Sequence, residues 1–489
     1  MAEENRTDYG LKLITAEWRG LLLIVLALGL WHGPTLILAP GVNHDEVALN
    51  AAARNWSQGG SASLSLLADR GDTYARAYYW QPPGLLWVVT GCYKIFGFSI
   101  TATRGVSLVS VMGLAALAYL VLRQSGTTRV VAGGLMALFL THPLMIWLAR
   151  SGRPDGFALG AGFAAILWLG ARPLPRLRDW GIAGLLIGIG GLFHIMVLSW
   201  APALAAATCW RTRRIAWGGG AILAITAAAP VVAWIAWAFA IGDGDAWLEQ
   251  FWGYQIGQRV GSGAWWVRPG QEFLLFASQF KFQPLAALAI AVGVASACFR
   301  AHRLENRAVQ VGLGCAFGLI ALGTAKGTGM YSLYWYSWAI LAAGAGFAAM
   351  PPRLAKSILL LGICNGLIWH GGLQGIAWYQ REARDPSRVD AFFAQHLPAG
   401  SVVIGPEDIW YAVESADSEL RIWVKPAEVA HEYLVTHTNE ATPAPTDFAL
   451  VAELPDIMPK VMGRYFSHTS CSYRLWKRLP KPNPASIPD

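Results

Sequence analysis

Long apolar runs separated by short polar connectors dominate the first 380 residues of the chain. An apolar run of about 20 residues is long enough to cross a bilayer as a helix, at a rise of about 1.5 Å per residue. Because lipid offers no partner to an unpaired backbone group, each run is predicted to be helical. The runs cover residues 21–39, 106–122, 130–148, 157–170, 180–210, 217–241, 285–299, 309–322, 331–350 and 358–377.

Positive charge is concentrated in five of the short connectors between the runs. The clusters contain Arg123 and Arg129, then Arg172 to Arg178, Arg211 to Arg214, Arg300 to Arg307, and Arg353 with Lys356. Short loops rich in lysine and arginine stay on the cytoplasmic side of a membrane. The basic N-terminal tail belongs to the same side, so the sequence predicts a cytoplasmic N-terminus.

Sidedness then limits how many runs can be spans. An even number of spans must lie between the tail and Arg123. Residues 82–97, which begin with Pro82-Pro83 and are interrupted by Lys94, are therefore predicted to form an interfacial or re-entrant helix on the outer face. Residues 180–210 lie between two cytoplasmic connectors and are predicted to form a hairpin that turns near Phe193-His194. The predicted fold class is a polytopic α-helical membrane protein with about eleven spans.

Two polar loops and a C-terminal region depart from this pattern. The loops, residues 40–81 and 242–281, are predicted on the outer side, and the second is rich in tryptophan. From about residue 381 onward the composition becomes that of a soluble protein. We therefore predict a membrane domain, 1–380, and a small extracytoplasmic α/β domain, 381–489, with strands at 401–405, 421–424, 447–452 and 473–479.

Composition agrees with a membrane protein. Of 489 residues, 55% are hydrophobic and only 14% are charged, whereas soluble domains carry roughly a quarter charged residues. The net charge of +8 does not indicate nucleic-acid binding, because the basic residues form connectors and not one basic-aromatic face. The six cysteines are scattered without a CxxC pair, so they indicate neither a metal site nor a redox compartment.

Two acidic segments fall on the predicted outer side. Asn43-His44-Asp45-Glu46 follows the first run, and Asp155 follows Arg150 and Arg153 between the third and fourth spans. Carboxylates at the rim of an apolar domain indicate function unless they are paired or solvated. The alternative is that Asp45 and Asp155 cap the helices that follow them. With Lys326 and Tyr331, predicted at the same level, they could form a site for a phosphate and a sugar hydroxyl.

A divalent cation is a further possibility at this face. His44 and His142, together with Asp45 and Glu46, carry suitable ligand atoms, but their spacing matches no known ligand pattern. Ordinary polar contacts are the alternative. The sequence therefore predicts no certain cofactor and leaves a divalent cation open.

Several short motifs occur in a characteristic order. They are Asp45-Glu46, Gln81-Pro82-Pro83-Gly84-Leu85-Leu86-Trp87, Phe96-Gly97 with Arg104, Asp155 after Ala149-Arg150, and Lys326 followed by Tyr331. In this order they resemble the GT-C glycosyltransferases of family 39, which include the protein O-mannosyltransferases and the bacterial aminoarabinose transferase acting on lipid A. The resemblance follows the membrane domain and extends loosely to the C-terminal domain.

The resemblance implies an inverting transfer from a polyprenyl-phosphate sugar to a lipid, glycan or protein acceptor, in the plasma membrane of a bacterium. Asp45 is the implied base, Glu46 and Asp155 position sugar and acceptor, and His44 lies beside them. Lys326, Arg104, Arg150 and Arg153 are candidates to hold the phosphate; the alternative for the arginines is anchoring to lipid headgroups. The chain departs from the pattern of this family at three places: at Gln81, at Phe193-His194 and after Tyr331. These differences bear on the identity of the donor or acceptor more than on the reaction class.

Two other functions remain open. A secondary transporter or lipid flippase also combines spans with internal acids, although the sequence shows no repeated half and its ionisable candidates lie at one face. A non-catalytic receptor or assembly factor would use the outer domain for binding.

Overall fold

The computed structural model describes residues 4–256, 268–299, 331–422, 432–438, 447–461 and 471–479. The predicted span 309–322, Lys326, Trp265 and Trp266 lie outside these ranges. The chain divides into two compact units. The helical unit comprises Met1–Pro34, Tyr79–Val88 and Arg104–Leu373, and the sheet unit comprises Thr35–Tyr78, Val89–Thr103 and Gln374–Asp489.

Helices account for most of the described chain up to residue 379. They are α1 Glu4–His32, α2 His44–Ser57, α3 Asp72–Arg76, α4 Gly84–Phe96, α5 Ile100–Gln124, α6 Arg129–Leu140, α7 Pro143–Leu148, α8 Asp155–Gly170, α9 Leu177–Phe193, α10 Trp200–Thr212, α11 Trp217–Ala240, α12 Gly244–Trp247, α13 Arg268–Gln279, α14 Pro284–Phe299, α15 Ser332–Ala348 and α16 Pro352–Tyr379. A π-helix, Leu248–Ile256, follows α12 directly.

Within the described ranges, α5, α11 and α16 are long and apolar enough to cross a membrane. Four shorter apolar helices, α4, α6, α8 and α14, accompany them. Close packing between helices uses small residues: a Cβ atom on Gly346 of α15 would lie 1.8 Å from the carbonyl oxygen of Gly293 in α14. Such approaches are typical of membrane helices, where small residues let backbones meet.

The sequence predicted one helix for residues 130–148, and the structure divides it. α6 ends at Leu140 and α7 begins at Pro143. Proline has no backbone N–H and disfavours helical geometry at the residue before it. His142 fills the break, because its Nδ1 accepts a hydrogen bond from the backbone N–H of Leu144 (3.2 Å). At the hairpin turn that the sequence predicts, α9 ends at Phe193 and His194 caps a 3₁₀ segment, Ile195–Ser199.

Glu17 joins the N-terminal part of α1 to the connector between α5 and α6. Its carboxylate lies 2.9 Å from Arg123 and 3.1 Å from Arg129, and it also accepts a hydrogen bond from Tyr119 (2.9 Å). The tail and the Arg123 connector therefore lie at the same end of the helical unit, in agreement with the parity argument. His32, fifteen residues further along α1, lies about 22 Å from Glu17 along the helix axis.

The sheet unit contains a five-stranded mixed sheet. Its strands are β1 Val402–Ile404, β2 Glu419–Arg421, β3 Tyr433–His437, β4 Phe448–Leu454 and β5 Tyr473–Arg478, in the order β2-β1-β3-β5-β4. β1 pairs in parallel with β2 and β3, while β5 pairs antiparallel with β3 and β4. Helices α17, Pro386–His396, and α18, Trp410–Ser415, complete the fold. Four strands lie near their predicted positions, but the sequence did not predict β3.

The segment between α1 and the motif at Gln81 is attached to this sheet. Arg54 of α2 forms an ion pair with Glu414 of α18 (2.8 Å) and donates a second hydrogen bond to the Glu414 carbonyl. The backbone N–H of Ile422, just after β2, donates to the carbonyl of Leu66 (3.2 Å). The sheet unit is thus built from chain segments far apart in sequence.

Gly84 of the Pro-Pro-Gly motif lets the start of α4 pack closely against the end of α9. A Cβ atom at this position would lie 2.7 Å from the carbonyl oxygen of Leu192 and 2.9 Å from the ring of Phe193. We expect Gly84→Ala to destabilise the protein by about 1–3 kcal/mol, because backbone must shift to accommodate the methyl group. Gly91→Ala on the same helix, with nothing within 4 Å of the added carbon, is the matched control and should be neutral or slightly stabilising. Thermal unfolding in detergent measures both, and equal melting temperatures would contradict the expectation.

Candidate functional site

Asp155 lies at the first position of α8 with 2% of its surface exposed. Its Oδ2 accepts a hydrogen bond from Nε of Arg153 (2.9 Å), and its Oδ1 accepts one from the hydroxyl of Tyr334 (3.0 Å). Pro154 occupies the N-cap without a side-chain hydrogen bond, so Asp155 does not cap its own helix. The carboxylate is held by an arginine and a tyrosine from two different elements.

His194 completes the surroundings of Asp155. Its Nε2 lies 4.0 Å from Asp155 Oδ1, and its ring lies 5.5 Å from Tyr331 and 5.6 Å from Tyr334. Nδ1 of His194 accepts a hydrogen bond from the backbone N–H of Met196, which assigns the proton of the neutral ring to Nε2. The sequence predicted the turn at this residue but did not place His194 or Tyr334 in the site. The only signal was the departure at Phe193-His194 from the family pattern.

The three arginines predicted at this site are buried in the helical unit. Arg104 is 0% exposed, Arg150 2% and Arg153 6%. Arg150 donates through Nε to Nδ1 of His32 (2.9 Å) and through a terminal nitrogen to the His32 carbonyl (3.2 Å), while Arg153 lies over the ring of Trp147 (4.8 Å). Such burial does not fit anchoring to headgroups, which leaves the charged end of an arginine in water.

The net positive charge of this group of buried side chains favours the binding of an anion. Arg104 is close enough to Arg150 to repel it electrostatically. Among the described residues of the cluster, three guanidinium groups accompany one carboxylate, Asp155. Guanidinium groups match phosphate geometry well. The contact with His32 also places this cluster at the end of α1 opposite to Glu17.

Two serines that the sequence analysis did not select lie beside these arginines in the chain. Ser107 is one helical turn after Arg104, and Ser151 follows Arg150. The Oγ atom of each is buried and has no hydrogen-bond partner within the described part of the chain. α5 faces the start of α8 here, since a Cβ atom on Gly156 would lie 2.2 Å from Ser110 Oγ. Hydroxyl groups near guanidinium groups are suitable donors to phosphate oxygens.

The second acidic segment belongs to the sheet unit, at the N-terminus of α2. Asn43 caps this helix by accepting a hydrogen bond from the backbone N–H of Glu46 (3.1 Å), so Asp45 does not perform the capping that was its alternative role. His44 and Asp45 are half-buried. Burial lowers the pKa of His44, which favours a neutral imidazole at neutral pH.

Glu46 is fully buried and is held by a residue distant in sequence. Its Oε1 accepts a hydrogen bond from the hydroxyl of Tyr411 in α18 (3.2 Å), and its exposed fraction is 0%. This environment favours a positioning role for Glu46 over direct access to a substrate. Tyr411 gave no signal in the sequence, because nothing local relates it to Glu46.

The remaining predicted residues have the following positions. Gln81 is half-buried three residues before α4, Tyr331 is buried directly before α15, and Lys326 lies outside the described residues. In the described part of the chain, no three His, Cys, Asp or Glu side chains come together as metal ligands. The cation site considered for His44 and His142 is therefore not formed by described residues.

Comparisons with known proteins show which proteins the chain is similar to. Residues 80–234 match the family model of dolichyl-phosphate-mannose-protein mannosyltransferases. GPI mannosyltransferase 1 of Gibberella zeae is 28% identical over 138 residues, which is 28% of this chain and 30% of that protein. The chain thus matches less than a third of the length of this relative.

Solved structures extend the likeness over nearly the whole chain. ArnT from Cupriavidus metallidurans bound to undecaprenyl phosphate superposes with a TM-score of 0.61 at 13% identity, covering 96% of this chain and 99% of that one. The apo form of that protein gives a TM-score of 0.57 at 13% identity, covering 84% of this chain and 87% of that one. The predicted resemblance to GT-C glycosyltransferases is confirmed, and the chain is an integral membrane protein with that fold. The matched stretch includes Gln81, Arg104, Arg150, Arg153 and Asp155.

Proposed function

We propose that this GT-C protein is a glycosyltransferase that moves a sugar from a polyprenyl-phosphate carrier to an acceptor hydroxyl at the outer face of the plasma membrane, with inversion at the anomeric carbon. The observation that carries the proposal is the buried cluster of Arg104, Arg150, Arg153 and Asp155 at one end of the helical unit. Guanidinium groups match the charge and the geometry of a phosphate, so this cluster suits a lipid phosphate.

The cluster suits the leaving group of such a transfer. As the bond between the anomeric carbon and the phosphate oxygen breaks, negative charge grows on the phosphate. Cations aimed at that oxygen stabilise the transition state more than the ground state. Arg104 and Arg150, with Lys326, are assigned this role, and Ser107 and Ser151 are assigned as additional hydrogen-bond donors.

The acids are assigned to the sugar and the acceptor. Asp155 is fixed by Arg153 and Tyr334, and each carboxylate oxygen keeps a further lone pair for a sugar hydroxyl. Asp45 takes the proton from the acceptor oxygen, which attacks the anomeric carbon on the side opposite to the phosphate, so that the configuration inverts and the polyprenyl phosphate leaves. Glu46, held by Tyr411, positions the start of α2.

Two comparisons support the donor class. The matched family model describes dolichyl-phosphate-mannose-protein mannosyltransferases, and the ArnT structure that superposes with a TM-score of 0.61 carries undecaprenyl phosphate. Both are polyprenyl-phosphate compounds. The catalytic roles require only a hydroxyl group on the acceptor, which lipids, glycans and proteins can all provide.

The test uses the purified full-length protein in nanodiscs with radiolabelled undecaprenyl-phosphate sugars and a lipid extract from cells that lack the gene. We expect label to move from the carrier to an acceptor and free undecaprenyl phosphate to accumulate. In proteoliposomes, label that crosses the bilayer while still attached to its carrier would instead indicate a flippase. Absence of both transfer and carrier cleavage across the donors would overturn the proposal.

A further inference from the structure

A small cavity lies in the sheet unit, at the edge where β1 and β3 end. Asp408 follows β1, His437 is the last residue of β3, and Tyr473 opens the neighbouring strand β5. Ligands of open α/β sheets bind outside the carboxyl ends of parallel strands. The cavity has a volume of about 50 Å³. One water needs only about 10–15 Å³, so there is room for a few waters or the polar edge of a larger ligand.

Asp408 gives this cavity an available acceptor. Its Oδ2 accepts a hydrogen bond from the hydroxyl of Tyr473 (2.9 Å) and lies 3.7 Å from Nε2 of His437. Its Oδ1 is shielded from water and has no hydrogen-bond partner among the described residues. A buried carboxylate oxygen without a partner is costly, which indicates that a donor group binds there.

A second acid, the buried Arg384 and apolar side chains line the rest of the cavity. Asp390 of α17 also lines it, and burial raises the pKa of both Asp390 and Asp408. Val42, Ile100 and Ala412 supply apolar surface. Hydrogen-bond acceptors facing apolar walls suit a sugar ring, which has hydroxyl donors around its edge and C–H groups on its faces.

The cavity is close to the proposed base. Val42 lines it, and Asp45 follows Val42 by three positions, a span of at most about 11 Å. Tyr411 lines the same cavity and donates its hydroxyl to Glu46, the neighbour of Asp45. A group bound in the cavity would therefore touch both the loop that leads to the base and the tyrosine that positions α2.

We propose that this cavity is an acceptor subsite that binds the hydroxyl edge of a sugar ring through Asp408 and Asp390. The inference rests on the proposed glycosyltransferase function and deepens it, because it makes the acceptor a glycan or glycolipid and not a protein side chain. The ring sits beside the reacting hydroxyl and contributes to acceptor binding without taking part in bond breaking.

Binding of a simple pyranoside tests the subsite without any transfer reaction. Saturation-transfer NMR of the full-length protein in nanodiscs, with methyl β-D-glucopyranoside and methyl α-D-mannopyranoside as probes, should show binding of at least one probe. N-acetylserine methylamide, a mimic of a protein hydroxyl, should not compete. We expect Asp408→Asn and the cavity-filling variant Ala412→Leu each to weaken probe binding at least tenfold.

Controls separate this inference from the function on which it rests. Asp417→Asn removes an exposed carboxylate of the same unit, at a left-handed position that asparagine tolerates, and should bind the probe as the wild type does. Asp45→Asn should lose transfer and keep probe binding. Melting temperatures establish that each variant is folded. Unchanged pyranoside binding in both folded cavity variants, or displacement of the probe by the serine compound, would overturn the subsite while leaving the glycosyltransferase proposal standing.

Discussion

Replacing Asp45 with asparagine should lower the rate of sugar transfer by about 10²–10⁴-fold, the usual contribution of a positioned general base. The amide has nearly the shape of the carboxylate but cannot take the proton of the acceptor hydroxyl. Since Asn43 and not Asp45 caps α2, the helix should keep its start and the variant should melt close to the wild type. Initial rates at saturating donor and acceptor measure the effect.

Asp72→Asn is the matched control for this change. Asp72 is an exposed acid between α2 and α4, at the start of α3, and the proposed mechanism does not use it. Its loss should leave the rate within about twofold of the wild type, since surface changes away from a site have small effects. Transfer by Asp45→Asn at the rate of Asp72→Asn would remove Asp45 as the base.

Asp155→Asn should abolish measurable transfer and also destabilise the protein by about 3–5 kcal/mol, the usual loss when one partner of a buried ion pair is removed. The substitution leaves Arg153 buried without its carboxylate, beside two further buried arginines. It also weakens the hydrogen bond from Tyr334. Thermal unfolding and transfer assays on the same preparation give the two effects separately.

A substitution in a second buried ion pair shows whether Asp155 contributes to stability alone or also to the reaction. Asp179, near the start of α9, lies 3.3 Å from Arg172. Arg172 follows the end of α8, and that end lies about 22 Å along the helix from Asp155. Asp179→Asn should lower stability by a comparable mechanism while the folded fraction remains active. If the folded fraction of Asp155→Asn is as active as that of Asp179→Asn, then Asp155 has no part in the reaction.

Local sequence signals predicted the helical elements well. The turn at His194 and the start of α4 after Pro82-Pro83 followed from parity and from the properties of proline, which act within a few residues. The sequence did not predict the break at Thr141–His142, because apolar residues continue on both sides of Pro143 and hydropathy alone predicts one helix over residues 130–148. β3 was missed because Tyr433–His437 is a short strand, and its membership of the sheet depends on pairing with β1 and β5.

In the candidate site, contacts between residues close in the chain can be predicted from the sequence, but contacts between distant segments cannot. Asp155, Arg150 and Arg153 are neighbours in the chain, and their joint presence could be predicted. The contacts of Arg150 with His32 and of Glu46 with Tyr411 join residues 118 and 365 positions apart. No periodicity or local motif encodes such pairs, since they arise only when distant segments pack together. His194 could have been suspected, because Phe193-His194 is one of the places where the chain departs from the family pattern.

The two attachments of α2 to α18, from Glu46 to Tyr411 and from Arg54 to Glu414, limit how the protein can be recombined with its relatives. A chimera that exchanges only the segment after residue 380 would place a foreign partner opposite each of these side chains. Grafts that carry residues 43–57 together with the C-terminal segment preserve both pairs. Domain-swapping experiments aimed at acceptor preference should therefore transplant a discontinuous block, and natural recombination between such genes is expected to respect the same boundary.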